Sequence, residues 1–95
     1  EAVTRMDALR ACATRDVESA GGLIGHRGEE FCYVLSGSLA LHLEGHTTRV
    51  MKAGASALFN SATPHAYVAA DSGGAKILIV VNRQFGMVGA APAFG

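Results

Sequence analysis

Turn-forming residues punctuate this chain at Gly21–Gly22, Gly28, Gly37, Gly45, Gly54, Asn60 to Pro64 and Gly73–Gly74. Short apolar runs broken by turns every ~8 to 12 residues are the pattern of an all-β sandwich or barrel. Glu30–Ser36 carries Phe31, Tyr33, Val34 and Leu35, which suit a pleated surface. Ser38–Glu44 alternates Leu39, Leu41 and Leu43 with Ala40, His42 and Glu44, so one of its faces is buried. Thr47–Met51, Ser56–Phe59, His65–Ala70 and Lys76–Val81 supply four more candidate strands. The last of these, KILIVV, lacks alternation and predicts a strand covered on both sides.

The connections between these runs are short. Ser36-Gly37-Ser38 reads as a strand-end turn, Leu43–His46 as a hairpin turn with Gly45 at positive φ, and Ala53-Gly54 as a further turn. Pro64 holds Thr63 extended and removes an amide donor just before His65, which suits a strand entrance. In residues 1–20, Thr4, Thr14 and Val17 interrupt any apolar helical stripe, so this part is expected to form edge strands or a lead-in. Residues 21–84 are expected to form the barrel. Residues 85–95 show no periodicity and form a tail that packs on a neighbour or stays loose.

Composition narrows the functional classes. The chain has 95 residues, enough for one domain, and with 49% hydrophobic and 17% charged residues it is globular rather than disordered. The apolar excess points to a partner subunit, expected to be a second copy in a homodimer. Lys plus Arg number 8 and Asp plus Glu number 8, with no basic run, so the domain itself lacks the footprint for nucleic acid. Apolar runs such as Ile77–Val81 fall far short of the roughly 18 residues a membrane helix needs. Cys12 and Cys32 sit in apolar surroundings without a disulfide framework, and a cytoplasmic location with reduced thiols is expected.

Chemistry concentrates in two stretches, HRGEEFCYVLSG and NSATPHAYV. If the first is extended from its start, His26 and Glu30 share a face and Gly28 leaves room between them. His65 opens another strand, on which Tyr67 and Ala69 share its face. Two imidazoles and a carboxylate suit a divalent Zn, Fe, Mn or Ni ion with open positions for water or ligand. The alternative is a set of pocket residues that only hydrogen-bond one another. Cys32 shares parity with Glu30 and either lines the pocket or packs in the core. Tyr67 either presents its hydroxyl to a ligand or ties it to backbone. His42 and His46 are expected at solvent or an interface. No phosphate loop or Ser-His-Asp arrangement is present, and no catalytic residue is assigned.

These residues resemble the cupin superfamily of small β-barrels. Its first motif runs His-x-His, three or four residues, Glu, six residues, Gly; His26, Glu30 and Gly37 match, and Ile24 stands at the first histidine position. Its second runs Gly, five residues, Pro-x-Gly, two residues, His, three residues, Asn; Gly54 and His65 match, and Asn60, Ala62 and Ala69 replace the rest. The resemblance implies a jelly-roll sandwich with a metal on His26, Glu30 and His65, and with Ile24, Cys32 and Tyr67 about a ligand pocket. A narrower resemblance, in HRGEEFCYVLSGSLALHLEG and GASALFNSATPHAYVAA, is to the sensor domain at the carboxyl end of bacterial helix-turn-helix regulators. It implies a small-molecule effector, with DNA bound by a domain outside this chain, which opens at Glu1 rather than Met. The alternatives are a metal-dependent dioxygenase or isomerase, and a metal-free dimerisation barrel whose interior is filled by Ile24, Cys32 and Met51.

Overall fold

The computed structural model describes residues 6–82. Its elements are all strands: β1 (Met6–Cys12), β2 (Glu29–Leu43), β3 (Arg49–Lys52), β4 (Ser56–Asn60), β5 (His65–Ala69) and β6 (Ala75–Asn82). The expected 85–95 tail and residues 1–5 of the lead-in lie outside the described residues. The strand pairs are antiparallel throughout, which gives the all-β sandwich that the turn spacing predicts.

β2 belongs to both sheets. Its first half runs between β4 and β6, with β1 beyond β6 at the edge. Its second half, from Ser38 onward, runs between β3 and β5. The change of sheet occurs at a bulge, where the register with β6 slips between Val34 and Ser36 and Gly37 takes φ 80°. An extra residue in one strand bends that strand and increases its twist. Inward side chains are accordingly Glu30, Cys32 and Val34 before the bulge but Leu39 and Leu41 after it. The expected turn at Ser36-Gly37-Ser38 is thus corrected to a bend inside one 15-residue strand. The chain cannot reverse there because its backbone stays engaged: Ser38 N–H donates to the Gly74 carbonyl (3.4 Å), and the Ser38 carbonyl accepts from Ala70 N–H (2.9 Å).

The core lies between the sheets. Val34, Leu39, Leu41 and Ile77 are its largest fully buried aliphatic side chains, each worth about 1.5 to 3 kcal/mol of transfer free energy. β6 corrects a second expectation. Ile77, Ile79 and Val81 are buried, but Leu78 and Val80 are only half-buried and Lys76 is exposed. Only one face of an antiparallel sandwich sheet meets the core, so the continuous apolar run does not imply two covered faces. The hairpin turn at Leu43–His46 and the turn at Gly54 form as expected, closed by His46 N–H to the Leu43 carbonyl (3.0 Å) and Ala55 N–H to the Lys52 carbonyl (2.9 Å).

The segment from Ala13 to Gly28 lies along the edge of β5 that β2 leaves free. Ala69 N–H donates to the Thr14 carbonyl (2.7 Å), and Ile24 exchanges both backbone hydrogen bonds with His65 (3.0 and 3.1 Å). This satisfies an otherwise open strand edge. It also carries His26 to the strand on which His65 sits.

The bulge supplies a test of the architecture. A Cβ at Gly37 would lie 2.1 Å from the Gly74 carbonyl oxygen, whereas one at Gly45, with nearly the same φ, meets nothing within 4 Å. Gly45→Ala is expected to cost about 1 kcal/mol for its backbone conformation alone, and Gly37→Ala about 3 kcal/mol or more because β2 and β6 must also part. Urea unfolding of the two variants measures the difference; equal losses would mean that the approach to Gly74 carries no weight.

Candidate metal centre

Three chain segments deliver the site. Glu30 stands near the start of β2 with its side chain inward, opposite Phe59 of β4 and Val81 of β6, and is 2% exposed. His65 opens β5 and pairs with Leu43 at the far end of β2. The sheet switch within β2 therefore brings together residues from opposite sheets. His26 arrives differently from the sequence expectation: β2 begins only at Glu29, and Gly28 takes φ 121°, so no strand alternation connects His26 to Glu30. His26 is placed instead by exchange with the β4–β5 loop, its N–H donating to the Ser61 carbonyl (2.8 Å) while Ser61 N–H donates to the Gly28 carbonyl (2.8 Å).

The side chains converge on the Glu30 carboxylate. His26 Nε2 lies 3.0 Å and His65 Nε2 3.3 Å from Glu30 Oε1. Ser61 Oγ donates to the same oxygen (3.2 Å), and the Tyr67 hydroxyl donates to Oε2. His65 Nδ1 donates to the Thr63 carbonyl (2.7 Å), and the Phe59 ring packs edge-on against the imidazole with centroids 4.9 Å apart. A carbonyl only accepts, so Nδ1 of His65 carries hydrogen and Nε2 is the atom left to act toward Glu30. Among the described residues no buried side-chain nitrogen or oxygen lacks a partner.

Electrostatics follow from that arrangement. Burial pushes the Glu30 carboxyl upward, but hydrogen bonds from His65 and Tyr67 and the nearby imidazoles outweigh it and hold the pKa below its ordinary 4.5. Burial pushes His65 downward, yet the Glu30 and Thr63 hydrogen bonds overcome this and raise it above its ordinary 6.5. Burial and the adjacent carboxylate keep the Tyr67 phenol protonated. Burial, helped by the nearby Glu30 carboxylate and opposed by the Ala57 backbone, pushes the Cys32 thiol up to about 11, so it is no thiolate ligand at neutral pH.

A neutral His65 would aim its Nε2 lone pair at a carboxylate oxygen. Either a proton or a cation between the two relieves that repulsion. The donor atoms of His26, Glu30 and His65 all lie within 4.8 Å of one another. Ligand bonds of about 2.0 to 2.2 Å at right to tetrahedral angles separate neighbouring donors by about 3.0 to 3.4 Å, and the 3.0 and 3.3 Å separations of the two imidazoles from Glu30 Oε1 fall in that range. The Nδ1–H to carbonyl bond of His65 is the partner that a metal-bound imidazole ordinarily has. The residues present thus fit a divalent metal.

A cavity of about 330 Å³ opens onto this centre. Ile24 and Tyr67 line it. Cys32, one of whose two expected places was the pocket, lies fully buried in the core and does not line the cavity. Ile24 does not fill the interior as the dimerisation-barrel alternative requires; it is 53% exposed at the cavity. His46 is exposed, and His42 Nδ1 lies 3.1 Å from the Thr48 hydroxyl. Sequence reasoning missed Ser61, Phe59 and Thr63. Ser61 and Thr63 read as loop residues in NSATPH, and no local signal marks a turn whose serine is fully buried.

Residues 16–81 match the family model described as a cupin domain. No curated protein matches the chain. Among solved structures, the iron(II) form of HppE is 30% identical with a TM-score of 0.66, covering 81% of this chain and 42% of that one. Hydroxypropylphosphonic acid epoxidase from S. wedmorenis is 30% identical with a TM-score of 0.67 and the same coverage, 81% and 42%. An RmlC-like cupin from Shewanella frigidimarina, 18% identical over 82% of this chain and 66% of that one, shares the fold with a TM-score of 0.65. The chain therefore spans less than half the length of the HppE chains it matches. No helix among the described residues is long and apolar enough to cross a membrane. With the family model matching residues 16–81, well over half of its length, the chain belongs to the cupin domain family.

Proposed function

We propose that this cupin domain holds one divalent ion on His26, Glu30 and His65 and presents it to a small molecule in the cavity, as the sensing part of a transcriptional regulator. The convergence of both imidazoles on Glu30 Oε1, with His65 locked by Thr63, carries the metal assignment. Two histidines and one carboxylate leave further positions open for a ligand, and the ion supplies Lewis acidity there. His26, with a side chain 35% exposed, stands on the solvent side of the site, while Glu30 and His65 form its buried floor. Solved structures of the HppE relative hold Fe(II) or Co(II), which supports an ion of this kind here.

Sensing is preferred to turnover because the wall offers little acid or base beyond the three donors. Tyr67 is spent on Glu30, and the remaining titratable side chain at the cavity is Cys12. The HRGEEFCYVLSG resemblance supports the same role. A metal-dependent enzyme is the second reading, favoured by the identity with the epoxidase. Dioxygen uptake by the iron(II)-loaded protein with a small hydroxy acid would move the assignment to that reading.

Metal titration tests the centre. Purified protein stripped with chelator is expected to take up one equivalent of Fe(II), Co(II) or Zn(II), and at a hundred times Kd to gain about 2.7 kcal/mol of stability. His65→Ala or Glu30→Gln should abolish stoichiometric uptake, whereas Ser61→Ala, which removes only a hydrogen bond to Glu30, should weaken it about tenfold. Uptake by His65→Ala equal to that of the unaltered protein would sink the assignment.

The pH dependence has a definite sign. Without metal, Glu30 stabilises above its ordinary 4.5 and loses its contribution as pH falls through its lower folded value. His65 contributes fully below 6.5 and loses its contribution as pH rises through its raised folded value. The pair therefore stabilises the metal-free protein most between 4.5 and 6.5. A metal must displace the His65 proton, so the gain in Tm from metal should shrink steadily from about pH 8 to pH 5. A gain that stays constant over this range in calorimetry would show that His65 is not a ligand.

A further inference from the structure

The wall of the cavity has a chemistry that the centre does not explain. Val81, Ile79 and Ile77 project inward from β6, and in register Val81 lies opposite Glu30, Ile79 opposite Cys32 and Ile77 opposite Val34. β1 extends the same wall with Leu9, opposite Ile79, and Ala11, opposite Ile77. From Val81 to Ile77 an antiparallel strand advances about 13 Å, so an apolar trough leads away from the metal donors for roughly that distance. Ile24 stands on the other side at the mouth.

No lysine or arginine lines this cavity among the described residues. Arg10 and Lys76 follow outward-facing positions on the same two strands, and Lys76 is exposed. A divalent ion beside the single carboxylate of Glu30 leaves about one unit of positive charge for an incoming group. A second anionic group in the trough would be desolvated with no cation to meet it, at a cost of several kcal/mol. A methylene placed there instead gains about 0.8 kcal/mol.

From this, and resting on the metal reading above, we infer that the cavity selects a small monoanionic chelator with an aliphatic tail, the head on the metal and the tail against Leu9, Ile79 and Val81. A volume of about 330 Å³ sits at the small end for ligand cavities and restricts the molecule to a short chain. Molecules whose tail carries a second anionic group are excluded. The class also differs from the phosphonic acid named for the structural relative, whose doubly charged head asks more of a site with one net positive charge.

The test keeps the metal-binding head constant and varies the tail. Co(II)-loaded protein is titrated with lactate, 2-hydroxybutanoate, 2-hydroxyhexanoate, 2-hydroxyglutarate and hydroxypropylphosphonate, and the visible Co(II) spectrum reports binding. Affinity is expected to rise up to fourfold per methylene, at least tenfold from lactate to 2-hydroxyhexanoate, with 2-hydroxyglutarate no tighter than lactate. Leu9→Lys, at a position 45% exposed on the edge strand, supplies the missing cation and should raise the affinity for 2-hydroxyglutarate relative to that for 2-hydroxyhexanoate at least tenfold. A flat response to chain length, or tightest binding by 2-hydroxyglutarate or hydroxypropylphosphonate to the unaltered protein, overturns the inference while the metal reading stands. Failure of Co(II) to bind at all removes the metal reading and this inference with it.

Discussion

A buried carboxylate that must be paid for in hydrogen bonds ties this fold to its site. Glu30 is 2% exposed, and an unpaired charge at that depth would cost several kcal/mol. Its partners come from three parts of the chain: His26 from the lead-in, Ser61 from the β4–β5 loop, and His65 and Tyr67 from β5. His65 and Tyr67 reach Glu30 because β2 switches sheets at Gly37, and His26 because the lead-in pairs with Ser61 and with β5. The site is therefore assembled by the same contacts that close the sandwich.

The ion has no structural gap to fill in such an arrangement. Many small metal sites are unfolded without their ion because the donors repel or stay solvated. Here Glu30 and His65 already favour each other's charged form, as the raised His65 and lowered Glu30 titrations express. On the proposed reading an ion takes the place of the His65 Nε2 proton inside a framework that does not change, so the stability an ion adds depends on pH.

Much of this was legible in the sequence. Glycine spacing and leucine alternation gave the all-β class, and the two motifs pointed to His26, Glu30 and His65 as neighbours. The route was partly misread. The parity of inward residues changes between Val34 and Leu39, which marks a bulge, yet Ser36-Gly37-Ser38 has the composition of a turn, and local composition cannot tell a bend held by β6 from a reversal. His26 reaches Glu30 through backbone exchange with Ser61, a contact between residues far apart in sequence that no periodicity records. Cys32 had the right parity for the pocket but packs a step further along β2, where Ile79 and Ala57 flank it.

Ile24 changes meaning once its place is known. As a motif position it looked like a lost ligand; in the structure its backbone anchors β5 beside His65 while its side chain borders the cavity, half in solvent. An imidazole there could add a fourth donor, and it would also place a polar group at the mouth of an otherwise aliphatic trough. The substitution thus lowers the number of protein donors and raises the apolar character of the entrance in one step. Both effects act in the same direction: they leave more of the coordination sphere to an incoming molecule and favour one whose body is aliphatic.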